Sequence, residues 1–98
     1  MSASIQQAID ELADFIEDSG GRFRAWYVGI AASPRRRLFD DHAVREDGDW
    51  AYIPLRSRSA AAGVERALLD LGCQGGPGGG TSRTRYAYVY RVTRYTRE

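Results

Sequence analysis

The sequence predicts an α+β domain, a small three-stranded and mostly antiparallel sheet flanked by three helices in the order α-β-α-β-α-β. Three observations carry this. Two stretches place apolar residues at helical spacing, around Ile5 to Ile16 and Val64 to Leu71. Two runs rich in aromatic and branched residues, around Trp26 and Trp50, have β composition without helical spacing. The stretch from Arg85 to Thr93 alternates strictly, with Tyr86, Tyr88, Tyr90 and Val92 on one face. Ninety-eight residues enclose one hydrophobic core and not two, so residues 1–98 form a single domain. Within it we distinguish an acidic N-terminal helix (1–21), a central α/β portion (22–72), a glycine-rich loop (73–84) and a C-terminal strand with its tail (85–98).

The first helix follows from Ser4 and Gln7, which have the spacing of a capping box, and from Ile5, Ile9, Leu12 and Ile16 on one face. Gly20-Gly21 stops it. Asp10, Glu11, Asp14, Glu17 and Asp18 make the opposite face a solvated acidic surface, or a surface for a basic protein partner. Phe23, Trp26, Tyr27, Val28 and Ile30 predict a strand ending near Gly29. Ser33-Pro34 reads as an N-cap with proline at the first helical position, opening a short helix to about His42. Trp50 to Leu55 is the second strand, and Pro54, which has no amide hydrogen to donate, puts it at an edge or marks its end. Ser57 or Ser59 caps the third helix, whose stripe is Val64, Leu68 and Leu71 and whose C-terminal glycine is Gly72. Glu65 borders that stripe, three residues before Leu68 and four after Ala61. Gly75-Gly76-Pro77-Gly78-Gly79-Gly80 is a loop whose amides have the makings of an anion nest, but it lacks the Gly-Lys-Ser/Thr end of a P-loop.

Composition excludes several classes. A hydrophobic fraction of 43% and a charged fraction of 28% are those of a globular protein, and no apolar run approaches the roughly 20 residues that span a bilayer. The N-terminal residues lack the basic region of a secretory signal, so a cytoplasmic location is expected. Cys73 is the only cysteine, which excludes an internal disulfide and a multi-cysteine metal site within one chain. The formal charge is +1, but it is unevenly spread: residues 1–21 hold five acids and no base, and all fourteen positive charges lie later and are arginines. The arginines suit bidentate phosphate contacts, although an arginine-favouring coding composition produces the same bias.

From Tyr27 the chain reads Tyr27-Val28-Gly29, then Pro34, Arg37 and His42, and after a strand comes a helix bearing Glu65. Over residues 25 to 72 this order resembles the GIY-YIG nuclease superfamily, which includes excision-repair and homing endonucleases. There a Tyr-Ile-Gly or Tyr-Val-Gly strand precedes a helix with a phosphate-binding arginine, and a later helix supplies a metal-binding glutamate. The resemblance implies a small endonuclease that hydrolyses nucleic-acid phosphodiester bonds with one divalent metal, Mg²⁺ or Mn²⁺, held by Glu65. It implies catalytic roles for Tyr27, Arg37, His42, Glu65 and a C-terminal tyrosine, for which we select Tyr88 among Tyr86, Tyr88 and Tyr90. Gly29 and Arg36 would let the substrate phosphate approach.

The sequence departs from the family in two respects. His42 lies five residues after Arg37, where many members have their histidine or tyrosine four after, a difference of one residue in helix facing. The Gly-Ile-Tyr strand, expected about ten residues before Tyr27, is replaced by the acidic helix, so its counterpart has to be the C-terminal tyrosine strand. Two further readings stand beside the nuclease. One is a non-catalytic nucleic-acid-binding module in which the arginines contact phosphates and the tyrosines of the last strand stack on bases. The other is a protein-interaction domain that docks through the acidic helix. An exposed edge strand leaves a homodimer open as well.

Overall fold

The computed structural model describes residues 4–75 and 83–97, and the order of its elements is the expected one. Most of the glycine-rich loop, and with it the proposed anion nest, lies outside the described residues. Helix α1 spans Ile5–Asp18 and begins with the capping box. The Gln7 amide donates to Ser4 Oγ and the Ser4 amide to Gln7 Oε1, each at 3.1 Å. Its end is a Schellman turn: Gly20 N–H reaches Glu17 O and Gly21 N–H reaches Ile16 O, with Gly20 at φ 70°. Ala8, Leu12 and Ile16 are buried, whereas Ile5, the first residue of the helix, is exposed.

Strand β1 is Trp26–Ala31. It starts later than the β-rich composition suggests, because Phe23–Ala25 form a single 3₁₀ turn, and it runs two residues past Gly29. Helix α2 is only Pro34–Arg36 before the chain widens into a π-helical turn, Arg37–Asp41. Ser33 does not cap it with its side chain, so proline at the first position sets the helix without an oxygen cap. Strand β2 is Trp50–Pro54, and α3 is Arg58–Asp70, capped by Ser57 Oγ on the Ala60 amide at 3.0 Å. Helix α3 also ends in a Schellman turn, from Gly72 N–H to Leu69 O and Cys73 N–H to Leu68 O. Leu71, expected in the apolar stripe, is exposed, because it is the cap residue where the chain already leaves the helix. Strand β3 is Tyr86–Arg91. No helix among the described residues is long and apolar enough to cross a membrane.

The sheet order is β1-β3-β2, with both pairings antiparallel, so the last strand in sequence is the central one. Tyr27 lies opposite Tyr90 and Gly29 opposite Tyr88 on one side of β3. Trp50 lies opposite Tyr90 and Tyr52 opposite Tyr88 on the other. Pro54 ends an edge strand, where its missing amide hydrogen costs no ladder bond. The outer edge of β1 is partly covered: Val28 N–H donates to Gln74 O at 2.9 Å and Gln74 N–H to Trp26 O at 2.7 Å.

Period-two alternation divides the sheet into two unlike faces. Trp26, Val28, Ile30, Ile53, Ala87 and Val89 join the buried residues of α1 and α3 in the main aliphatic core. Ala31, Tyr88 and Tyr90 pack with Leu38 and Val44 on the opposite face, with Tyr27, Phe39, Trp50 and Tyr52 around them. The second face is aromatic and polar-tipped, and all but one of the candidate functional side chains belong to it.

Candidate functional site

The site grows from Gly29. It is buried on the aromatic face, and a Cβ there would meet Cε2 of the Tyr88 ring at 2.9 Å. Tyr88, on central β3, therefore lays its ring across β1 over a position that only glycine can hold. This corrects the role expected for Gly29: the space above its backbone belongs to the Tyr88 ring and not to an approaching phosphate.

The Tyr88 hydroxyl is the point on which the other groups converge. His42 Nε2 is 2.8 Å from it. The Arg37 guanidinium makes a charge and hydrogen-bonding contact with it. Tyr27 and Glu65 are close enough for their charges to bear on its ionisation. The Tyr27 ring lies 4.9 Å from the His42 ring and stacks on Tyr90 at 5.2 Å. Tyr27, Arg37, His42 and Tyr88 thus form one cluster, built from β1, the π-turn with its C-cap, and β3, while Glu65 stands on α3 outside the aromatic face and acts on it through charge alone.

The π-turn accounts for the odd spacing of His42. In a regular α-helix a residue five positions on lies about 140° away round the axis. Here the bond from His42 N–H to Arg37 O, 2.9 Å long, closes an i to i+5 turn. That inserted residue turns His42 back to the side of the helix that carries Arg37. Of the consecutive arginines, Arg37 alone serves Tyr88. Arg35 lies over the Phe39 and Trp50 rings at 5.2 and 5.6 Å, and Arg36 is exposed.

Burial grades the cluster. Tyr88, His42 and Glu65 are 1%, 6% and 7% exposed, while the Arg37 side chain is half exposed and Tyr27 partly so. Arg37 and Tyr27 form the accessible rim. Arg37 also holds Asp41 at 3.2 Å, an exposed pair worth at most about 1 kcal/mol and so easily exchanged for another anion. Burial pushes the Tyr88 hydroxyl up to about 12, which the Arg37 charge only partly offsets. Near neutrality Tyr88 is a phenol, and on its own it is not a base. Burial also raises the Glu65 carboxyl, against a smaller lowering by Arg58. Glu65 Oε2 is buried with no hydrogen-bond partner among the described residues.

That orphan oxygen is a hard ligand of the kind Mg²⁺ takes, but it is buried, so a hydrated cation would reach it only once the Glu65 side chain turned outward. Mg²⁺ takes hard oxygen ligands and keeps most of its waters, so one carboxylate is enough to tether it. No cluster of three or more histidine, cysteine, aspartate or glutamate side chains able to hold a metal occurs among the described residues, so any such ion would rest on Glu65 and water.

One expectation of the binding reading changes and one stands. Tyr88 and Tyr90 are buried and cannot stack on bases, since the central strand is covered on both faces. The acidic residues of α1 are all exposed. The sequence reading left Tyr90 open, and it missed Arg97. Tyr90 Oη is 3.1 Å from His42 Nδ1, and the Arg97 carbonyl is 2.5 Å from the same nitrogen. A backbone carbonyl 55 positions away has no side-chain signature, so no pattern in the sequence points to it. No family model, curated protein or solved structure matches the chain.

Proposed function

We propose that the protein is a small phosphodiester hydrolase of the GIY-YIG type, acting on nucleic acid with one divalent cation. The observation that carries this reading is the convergence of Tyr27, Arg37 and His42 on Tyr88, with Glu65 of α3 near enough for its charge to bear on the Tyr88 hydroxyl. These are the residue types the chemistry needs, and they come from four separate segments, β1, the π-turn with its cap, α3 and β3.

Each has a defined task. Arg37 at the rim braces the non-bridging oxygens of a phosphate with its planar fork, after releasing Asp41. Tyr27, the outermost hydroxyl of the set, orients the attacking water. The Tyr88–His42 pair behind it receives the proton that this water loses. Glu65 would hold the cation, which when bound supplies positive charge at the leaving oxygen. The central place of β3 beside the Tyr27 strand is where a displaced first strand of the family signature would have to lie, which is the second support for this reading.

The test is incubation of the protein with plasmid, single-stranded DNA and RNA in Mg²⁺ or Mn²⁺, beside Glu65→Ala and Arg37→Ala. We expect cleavage by the parent chain and a loss of about 100-fold or more in kcat for each variant. Equal rates for the parent and Glu65→Ala would end the catalytic reading.

A further inference from the structure

The C-terminal tail grips His42 at two points. Arg97 N–H donates to the His42 carbonyl at 2.6 Å, and the Arg97 carbonyl lies 2.5 Å from His42 Nδ1. A carbonyl oxygen only accepts, so Nδ1 carries the hydrogen. The same carbonyl also accepts from the Tyr90 hydroxyl at 3.2 Å, which orients it. The tail is itself shaped for this grip. Thr93 N–H donates to Thr96 Oγ1 at 3.0 Å and Thr96 Oγ1 to the Thr93 carbonyl at 3.0 Å, a side-chain-closed turn that delivers residue 97 to His42.

With hydrogen on Nδ1, the neutral ring keeps its lone pair on Nε2, which faces the Tyr88 hydroxyl at 2.8 Å. Tyr88 is then the donor in that bond, and its own lone pairs are left for Arg37 and for a proton coming from the rim. We propose that residues 93–97 are a strap whose Arg97 backbone carbonyl is a positioning group: it locks His42 as the Nδ1–H tautomer, so that Nε2 accepts the proton of Tyr88.

The consequence for the reaction rests on the hydrolase reading, whereas the tautomer does not. In the attack, a water O–H bond breaks as its oxygen bonds phosphorus, and that proton passes to Tyr88 Oη. The Tyr88 proton passes at the same time to Nε2. The bond from phosphorus to the leaving oxygen breaks, and the imidazolium, its Nδ1–H still held by Arg97, returns its proton through Tyr88 to that oxygen. The opposite tautomer carries hydrogen on Nε2 and closes this route. Tyr88, ionising only at about 12, does not replace it alone.

The experiment is long-range ¹H–¹⁵N correlation of the full chain labelled in its one histidine, compared with a chain ending at Thr96 and with Arg97→Ala. The parent is expected to show hydrogen on Nδ1 and an accepting Nε2. Arg97→Ala keeps both backbone groups and is expected to match it. The chain ending at Thr96 is expected to gain the Nε2–H form and to lose about 10- to 100-fold in kcat, with Kd for substrate unchanged. Parent His42 with hydrogen on Nε2, or an unchanged tautomer after removal of Arg97, overturns the inference. So does an altered tautomer with an unchanged kcat. If the parent cleaves nothing while the tautomer still depends on Arg97, the hydrolase reading fails and the positioning assignment stands.

Discussion

Glu65 is the residue with the largest conflict between where it sits and what it is. A carboxylate 7% exposed, with one oxygen lacking a partner among the described residues, is costly to ionise, and burial accordingly raises its pKa. The sign of the consequence follows. A carboxyl raised in the folded state favours folding while both states are protonated, and that contribution is lost as pH rises through the folded pKa. Glu65→Gln removes the titration and leaves the shape. In EDTA, the Tm of the Gln variant minus that of the parent is therefore expected to widen from about pH 4 towards neutrality. A gap that stays constant or narrows would mean that the carboxylate is not penalised.

At the scale of elements, the π-turn and its exit decide whether the site exists. The turn restores His42 to the Arg37 side, and the chain then leaves through Ala43 at φ 57°, a left-handed conformation in which a side chain is strained. The exit is secured by Val44 N–H to Leu38 O at 2.9 Å and by burial of Val44. Ala43→Gly relieves the strain but gives the unfolded chain more freedom, so we expect a net gain of at most about 1 kcal/mol by denaturant titration, with the His42 ring signals unchanged. A loss exceeding about 1 kcal/mol would show that the left-handed turn is not strained.

For the whole molecule, the governing fact is that β1 and β2 never pair with each other and meet only through β3. The chain must therefore bring its last strand back between two far earlier in sequence, so the sheet rests on long-range contacts. A chain ending at Thr84 leaves two unpaired strands and uncovers both cores. It is expected to show no cooperative thermal transition by circular dichroism, and a sharp transition in that fragment would refute the account. The same arrangement makes the site a product of the closed sheet, since Tyr88 reaches Gly29 only across the β3–β1 ladder.

Much of this was legible in the residues. The capping box, the glycine stops, a serine cap at 57 or 59, the alternation of the last strand and the place of Glu65 at the border of the buried face all follow from local stereochemistry and from the 3.6 and 2 periods, whereas its full burial does not. So does the α+β class, because those periods choose which faces are apolar. The exposure of Ile5 and Leu71 was not legible, because a period does not mark where the neighbouring layer ends. Nor was the service of Gly29 to the Tyr88 ring, which depends on which strand lies beside it. Sequence by itself determined the elements, their faces and the set of polar side chains. Only tertiary structure decided the order β1-β3-β2, the extra residue in the turn before His42 and the carbonyl that faces its ring. Those depend on contacts tens of positions apart and on backbone groups that every residue carries alike.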